Sequence, residues 1–190
     1  NAQSPADLVS DLYAVTGDIL HKKGEEQEAF AAYDSCLQWK DDNVMALNNY
    51  AYYLSEKGVD LHKAESMSYK TIKAEPNNGT YLDTYAWILF MEERYADAKI
   101  YIDQALKNRD STADNSTVIE HAGDIYYMNG MADESVDFWK KAYTGENQTE
   151  VLAWKIKNRQ YITEEELKKR NAPKQKPAAT QKSVRKGKKK

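Results

Sequence analysis

Four stretches of this chain carry the same spaced trio: a bulky apolar residue, a small residue four positions on, then a Leu or Tyr three further. They read Tyr13, Gly17, Leu20; Leu47, Ala51, Leu54; Leu82, Ala86, Leu89; and Ile119, Gly123, Tyr126. The small residues fall 34, 35 and 37 positions apart. Steps of four and three return a side chain to the same helical face, so each trio predicts one helix. A short turn follows each: His21–Gly24, Ser55–Gly58, Met91–Arg94 and Met128–Met131. After each turn comes a second face of the same spacing: Ala29, Tyr33, Cys36; Ala64, Ser68, Thr71; Ala98, Ile102, Ala105; and Ser135, Trp139, Ala142. Small residues let two helices approach, and a bulky neighbour fills the groove beside them. The expectation is four helical hairpins. A single hairpin cannot bury its own apolar face, so the four must stack.

This pattern resembles the tetratricopeptide repeat family, over about residues 8–149 and in particular its bacterial members. The third unit, "YLDTYAWILFMEERYADAKIYIDQALKNRD", matches closely, and Pro76 stands at the family's terminal proline in the second. The units are expected at about 10–43, 44–78, 79–112 and 116–149. One extra residue falls near Val59-Asp60, and about three precede the fourth unit. The resemblance implies an all-α fold: a right-handed α-solenoid of helix-turn-helix hairpins, an alpha-alpha superhelix.

The rest of the chain divides by composition. Residues 1–7 are expected to fray. "EVLAWKIKNRQY" and the capping box Thr163–Glu166 predict C-terminal capping helices over 150–170. Residues 171–190 turn to Pro, Lys, Ala, Gln and Ser, and are expected to be a basic disordered tail. The formal net charge of −3 conceals this division. Leu167–Lys190 holds 11 of the 27 Lys and Arg and no acid, leaving 16 bases against 30 acids before it. Such a tail suits contact with nucleic acid or an anionic membrane through charge alone, since no aromatic residue interleaves it. Visits to an acidic groove, and plain solubility with no specific partner, are the other open readings.

The family resemblance further implies that the first helix of each hairpin lines a concave groove. Carried over by position, that groove holds Asp18, Asn48, Asn49, Tyr52, Asp83, Trp87, Phe90, Glu120, Asp124 and Tyr127. Aromatic side chains on a concave surface are anchors for a partner. An asparagine amide matches a peptide unit in donor and acceptor. The set contains no Lys or Arg. Ala14, Asp18, Asn49, Thr80 and Thr84 stand where chaperone-binding relatives carry a cationic clamp, and only the asparagine agrees. The expected partner is therefore a neutral or basic protein or peptide with apolar anchors, not an acidic chaperone C-terminus.

Catalytic motifs are absent. His21, His62 and His121 fall in three different hairpins, and Cys36 is alone, so no metal, cofactor or disulfide is expected. No phosphate loop or nucleophile elbow occurs. The expected function is a non-catalytic interaction scaffold. The different-class alternative is a structural segment of a longer or self-stacking array. The sequence starts at Asn1 with no leader pattern, so a processed or fragmentary chain is expected. The bacterial periplasm or envelope and the cytoplasm stay open, as does the oligomeric state.

Overall fold

The computed structural model describes residues 4–110 and 113–172. Among them the chain is all helical. Four antiparallel hairpins follow one another: α1 (Pro5–Lys22) with α2 (Glu26–Trp39), α3 (Val44–Lys57) with α4 (Leu61–Ala74), α5 (Gly79–Met91) with α6 (Tyr95–Asn108), and α7 (Ser116–Met128) with α8 (Ala132–Ala142). Then come α9 (Glu150–Asn158) and α10 (Glu164–Asn171). No described helix is long and apolar enough to cross a membrane.

The crossings obey a size rule. Gly17 faces the ring of Tyr33, where an added Cβ would lie 2.8 Å from ring carbons. Gly123 faces Trp139 with even less room. Where the second helix offers Ser68 or Ile102 instead, the first helix carries Ala51 or Ala86. Glycine thus stands opposite the large rings and alanine opposite the smaller side chains.

The turns repeat as closely. The amides of Glu25, Val59, Arg94 and Met131 each bond the carbonyl five residues back, at 2.9–3.1 Å. This is the Schellman closure of a helix C-terminus. It needs a left-handed residue just before, and Gly24, Gly58 and Gly130 supply one at φ 80°, 65° and 80°. In the third turn Glu93 takes that conformation, at φ 61°.

Helix starts are capped by side chains. Asn43 caps α3 through the Ala46 amide (3.1 Å) and also donates to Ser10 Oγ and Asp11 Oδ1, both at 3.0 Å, so one residue ties the first hairpin to the second. Asn78 caps α5, Thr149 caps α9, and Thr163 with Glu166 forms the expected box on α10. The expectation of a frayed 1–7 is corrected. Helix α1 begins at Pro5, because Ser4 and Asp7 close a capping box and proline suits the first turn. Residues 1–3 lie outside the described residues. Helix α10 reaches Asn171, and the expected disordered tail from 173 onward lies outside them too.

Stacking buries three linked cores. One holds Tyr33, Leu47, Tyr50 and Leu54 with Ile88 from the next unit. The second centres on Leu82, Leu89, Ile102 and Ile125. Val136, Trp139 and Leu152 form the third, joining α8 to α9. Successive first helices also touch, α1 to α3, α3 to α5 and α5 to α7, which sets them side by side along one face.

Candidate functional site

Along the row of first helices the polar side chains answer one another instead of facing outward. Asp18 accepts from the Tyr33 hydroxyl and, at 3.0 Å, from Asn49 Nδ2. Asn48 is buried at 5% exposure and donates to Asn49 Oδ1 at 3.2 Å. These two amides were expected to meet a peptide backbone, and that expectation is corrected. Asn48 does not reach the surface, and Asn49 is committed to Asp18. The carboxylate beside it explains why: it is the stronger acceptor for the amide.

The aromatic side chains form a stack. His121 lies on Trp87 with centroids 4.1 Å apart and planes 14° apart, and Trp87 lies on Phe90 at 4.7 Å and 12°. Tyr52 stands at the other side of His121, 6.3 Å away. Beneath the stack, Asp83 holds His121 Nδ1 at 3.0 Å. Burial alone would lower the His121 pKa, but the Asp83 carboxylate outweighs it and the imidazole sits above its ordinary value. Burial pushes the Tyr52 phenol well up. Phe90 is corrected from an exposed anchor to a core residue, since it is 5% exposed and packs edge-on to Tyr95 and Tyr161. Tyr127 is half-buried between Trp139 and Tyr161.

The largest departure from the sequence reading is Lys155. It comes from α9, enters the groove and is 3% exposed. Its Nζ lies 2.8 Å from both oxygens of Asp124 and 3.0 Å from Glu120. Asp124 also accepts from Trp139 Nε1 at 2.8 Å, and Asn147 donates to Glu120 at 3.1 Å. Burial would lower the lysine pKa, yet the two carboxylates hold it above its ordinary value. The groove is therefore not lysine-free, and Glu120 and Asp124 do not act as open negative charge. The sequence carried one sign of this. Lys155 continues the face of Val151 and Leu152 at helical spacing, a cation at a core position.

Tyr161, in the link from α9 to α10, lies against Phe90 and Tyr127, and Lys155 Nζ stands 5.3 Å from its ring. The C-terminal helices thus fold back over the concave face. Between them and α3, α5 and α7 is a cavity of about 980 Å³. Tyr52, Trp87, Glu120 and Asp124 line it, as do His121 and Glu56; Thr163 and Leu167 form the opposite wall. The other expected groove residues, Asp18, Asn48, Asn49, Asp83, Phe90 and Tyr127, do not line it. Sequence reasoning missed the α10 wall, because a cap read from its pattern carries no record of which face it covers.

A possible metal group lies elsewhere. His62, Glu65 and Glu92 offer ligand atoms within 4.8 Å of one another. Arg94 already bonds Glu65 at 2.6 Å and Glu92 at 3.1 Å, so a guanidinium supplies the positive charge there.

No family model matches the chain. It is similar to the TPR repeat-containing protein PA4667 of Pseudomonas aeruginosa, 35% identical over 66 residues. That stretch is 35% of this chain and 11% of the relative, so the match spans about a tenth of the relative's length. Among solved structures, that of Pseudomonas aeruginosa PilF superposes with a TM-score of 0.68 at 16% identity, over 82% of this chain and 69% of that one. YrrB, described as a TPR protein with an unusual peptide-binding site, superposes with a TM-score of 0.55 at 18% identity, over 77% of this chain and 74% of that one. The fold is thus the tetratricopeptide-repeat helical solenoid.

Proposed function

We propose that this chain, whose fold is that of the tetratricopeptide-repeat solenoid, is a non-catalytic scaffold whose groove holds an extended segment of a partner protein between α3, α5, α7 and the returning α9–α10. The carrying observation is the cavity. Its volume of about 980 Å³ lies near the upper end of the roughly 300–1,000 Å³ common for ligand sites, and one wall is the Tyr52–His121–Trp87 surface. The buried Trp87 indole N–H has no acceptor among the described residues, a donor that a partner carbonyl would satisfy after a small shift of the stack. The peptide-binding site named for YrrB supports a protein ligand by analogy of fold.

Apolar contact sets the preference. The four acids that the sequence pattern placed in the groove are engaged within the protein: Asp18 by Tyr33 and Asn49, Asp83 by His121, and Glu120 and Asp124 by Lys155. Repulsion of acidic ligands is accordingly weaker than the sequence suggested. A clamp for a terminal carboxylate is still lacking, since Lys155 is buried and doubly paired. The ligand of choice is a neutral or basic segment with an apolar or aromatic side chain seated by Tyr52 and Trp87.

Calorimetric titration tests this with three short peptides: one neutral with Leu and Phe anchors, one basic with the same anchors, and one ending in an acidic carboxyl terminus. The anchored peptides bind, and Trp87→Ala removes their heat. Trp39→Ala, at an exposed outer tryptophan (54%), leaves it unchanged. Binding of the acidic peptide alone, or anchored binding indifferent to Trp87→Ala, would overturn the reading.

A further inference from the structure

Helix α1 leaves an apolar stripe open. Leu8, Leu12, Val15 and Ile19 are 53%, 60%, 49% and 49% exposed. Their spacing of four, three and four puts them on one face. Counted from the small crossing residue, Ile19 corresponds to Tyr53, Ile88 and Ile125, and Leu12 to Ala46, Tyr81 and Val118; in the internal hairpins Ile88, Ile125 and Ala46 are at 0% exposure and the other three are half-buried. Ile88 and Ile125 each pack into the core of the hairpin before their own, with Ala51 and Ala86 respectively. Helix α1 thus carries the stacking face of an internal unit, and no described element covers it. Contiguous exposed apolar surface of this kind marks a docking site.

We propose that a second copy of this chain docks there, α1 against α1, antiparallel about a two-fold axis. The stripe is its own complement. Its spacing reads the same from either end, so an antiparallel copy sets Leu8 beside the partner's Ile19 and Leu12 beside the partner's Val15. The helix ends agree as well. Lys22 lies in the last turn of α1 and meets the partner's first turn, where Asp7 is already held by Lys40 at 2.9 Å, so the basic end sits by a neutralised acidic end and the helix dipoles oppose. Head-to-tail stacking onto α10 is disfavoured. Its exposed surface carries the pairs Glu164–Lys168 and Glu165–Lys169, which offer no apolar counterpart.

Sedimentation velocity of the full chain, from low to high micromolar concentration, tests the interface. The wild type forms a reversible dimer. Leu12→Glu raises the dimer dissociation constant by at least about tenfold, the cost of placing a charge in a small apolar contact. Ile100→Glu, at an apolar residue of α6 that is 57% exposed, does not. Circular dichroism checks that both variants keep their helices. A monomer at every concentration would overturn the proposal and assign the stripe to another occupant, such as a preceding hairpin. A dimer that survives Leu12→Glu would overturn it equally. The peptide titration, repeated on Leu12→Glu, reads the groove independently of the outcome.

Discussion

Glu93 sits where glycine sits in the other three hairpin turns, in the left-handed conformation at φ 61°. A residue with a Cβ loses about 1–2 kcal/mol in that region, and a carboxylate has no local bond there to offset it. The third turn, Met91-Glu92-Glu93-Arg94, closes with the same hydrogen bonds as its siblings, the Arg94 amide to Leu89 at 2.9 Å. The array therefore dictates the turn and the sequence tolerates it. Glu93→Gly is expected to raise the unfolding free energy by about 1 kcal/mol, read from the urea midpoint at unchanged slope. Gly24→Ala is expected to lower it by a similar amount, for the same reason in reverse. Gly17 and Gly123 obey a different constraint. They are not turn residues, and what fixes them is the ring across the crossing. The spacing of four and three announced those crossings in the sequence. The strain at Glu93 was not legible there, because a conformation imposed from outside leaves no mark on residue type.

Helix α9 shows how an element that looks like a lid becomes part of the site. Its first-turn face, Val151 and Leu152, predicted a cap over the last hairpin, and Leu152 is fully buried there. One turn later the same face delivers Lys155 to Asp124 and Glu120. Read from sequence, the two acids belonged to the groove and the lysine to a capping helix with no partner assigned. Their pairing spans 31 and 35 residues and depends on where α9 crosses, which no local pattern encodes. Removing one partner of a buried ion pair leaves the other uncompensated and costs roughly 3–5 kcal/mol. Lys155→Ala is expected to destabilise the fold by about that much, measured by urea unfolding. Lys155→Ala combined with Asp124→Asn should recover part of the loss, since the buried carboxylate at that position is gone while an oxygen remains to accept from Trp139 Nε1. Equal losses in the single and double variants would mean that the lysine stem, not its charge, holds α9 in place.

Across the whole molecule, contacts run from neighbour to neighbour, as in any solenoid. The hairpin count and order could be read from the sequence for that reason: each interface repeats a pattern 34 to 37 residues long. Such ties also run between the first helices of successive hairpins, and the buried His121–Asp83 pair is one that links α7 to α5. Carbonyls, hydroxyls and carboxylates all compete for an imidazole in principle. Here Asp83 at 3.0 Å decides, with Asp124 and Glu120 adding to the same side. The folded pKa of His121 therefore exceeds its ordinary value near 6.5. A folded state that binds the proton more tightly than the unfolded chain gains stability from it. That gain is fully present below the unfolded value and is lost as pH rises through the folded one. The unfolding free energy of the wild type should thus fall as pH rises above 6.5. In His121→Gln, which keeps a donor toward Asp83 without a titrating ring, the same interval should be flatter. The difference between the two curves isolates this group from the tyrosines and lysines that titrate higher. Peptide binding should follow the same pH course, because His121 is the ring on which Trp87 stacks and a loosened α5–α7 tie widens the groove. Parallel curves for wild type and variant would show that the pair is neutral on both sides of the transition and that the tie between the two helices rests on packing alone.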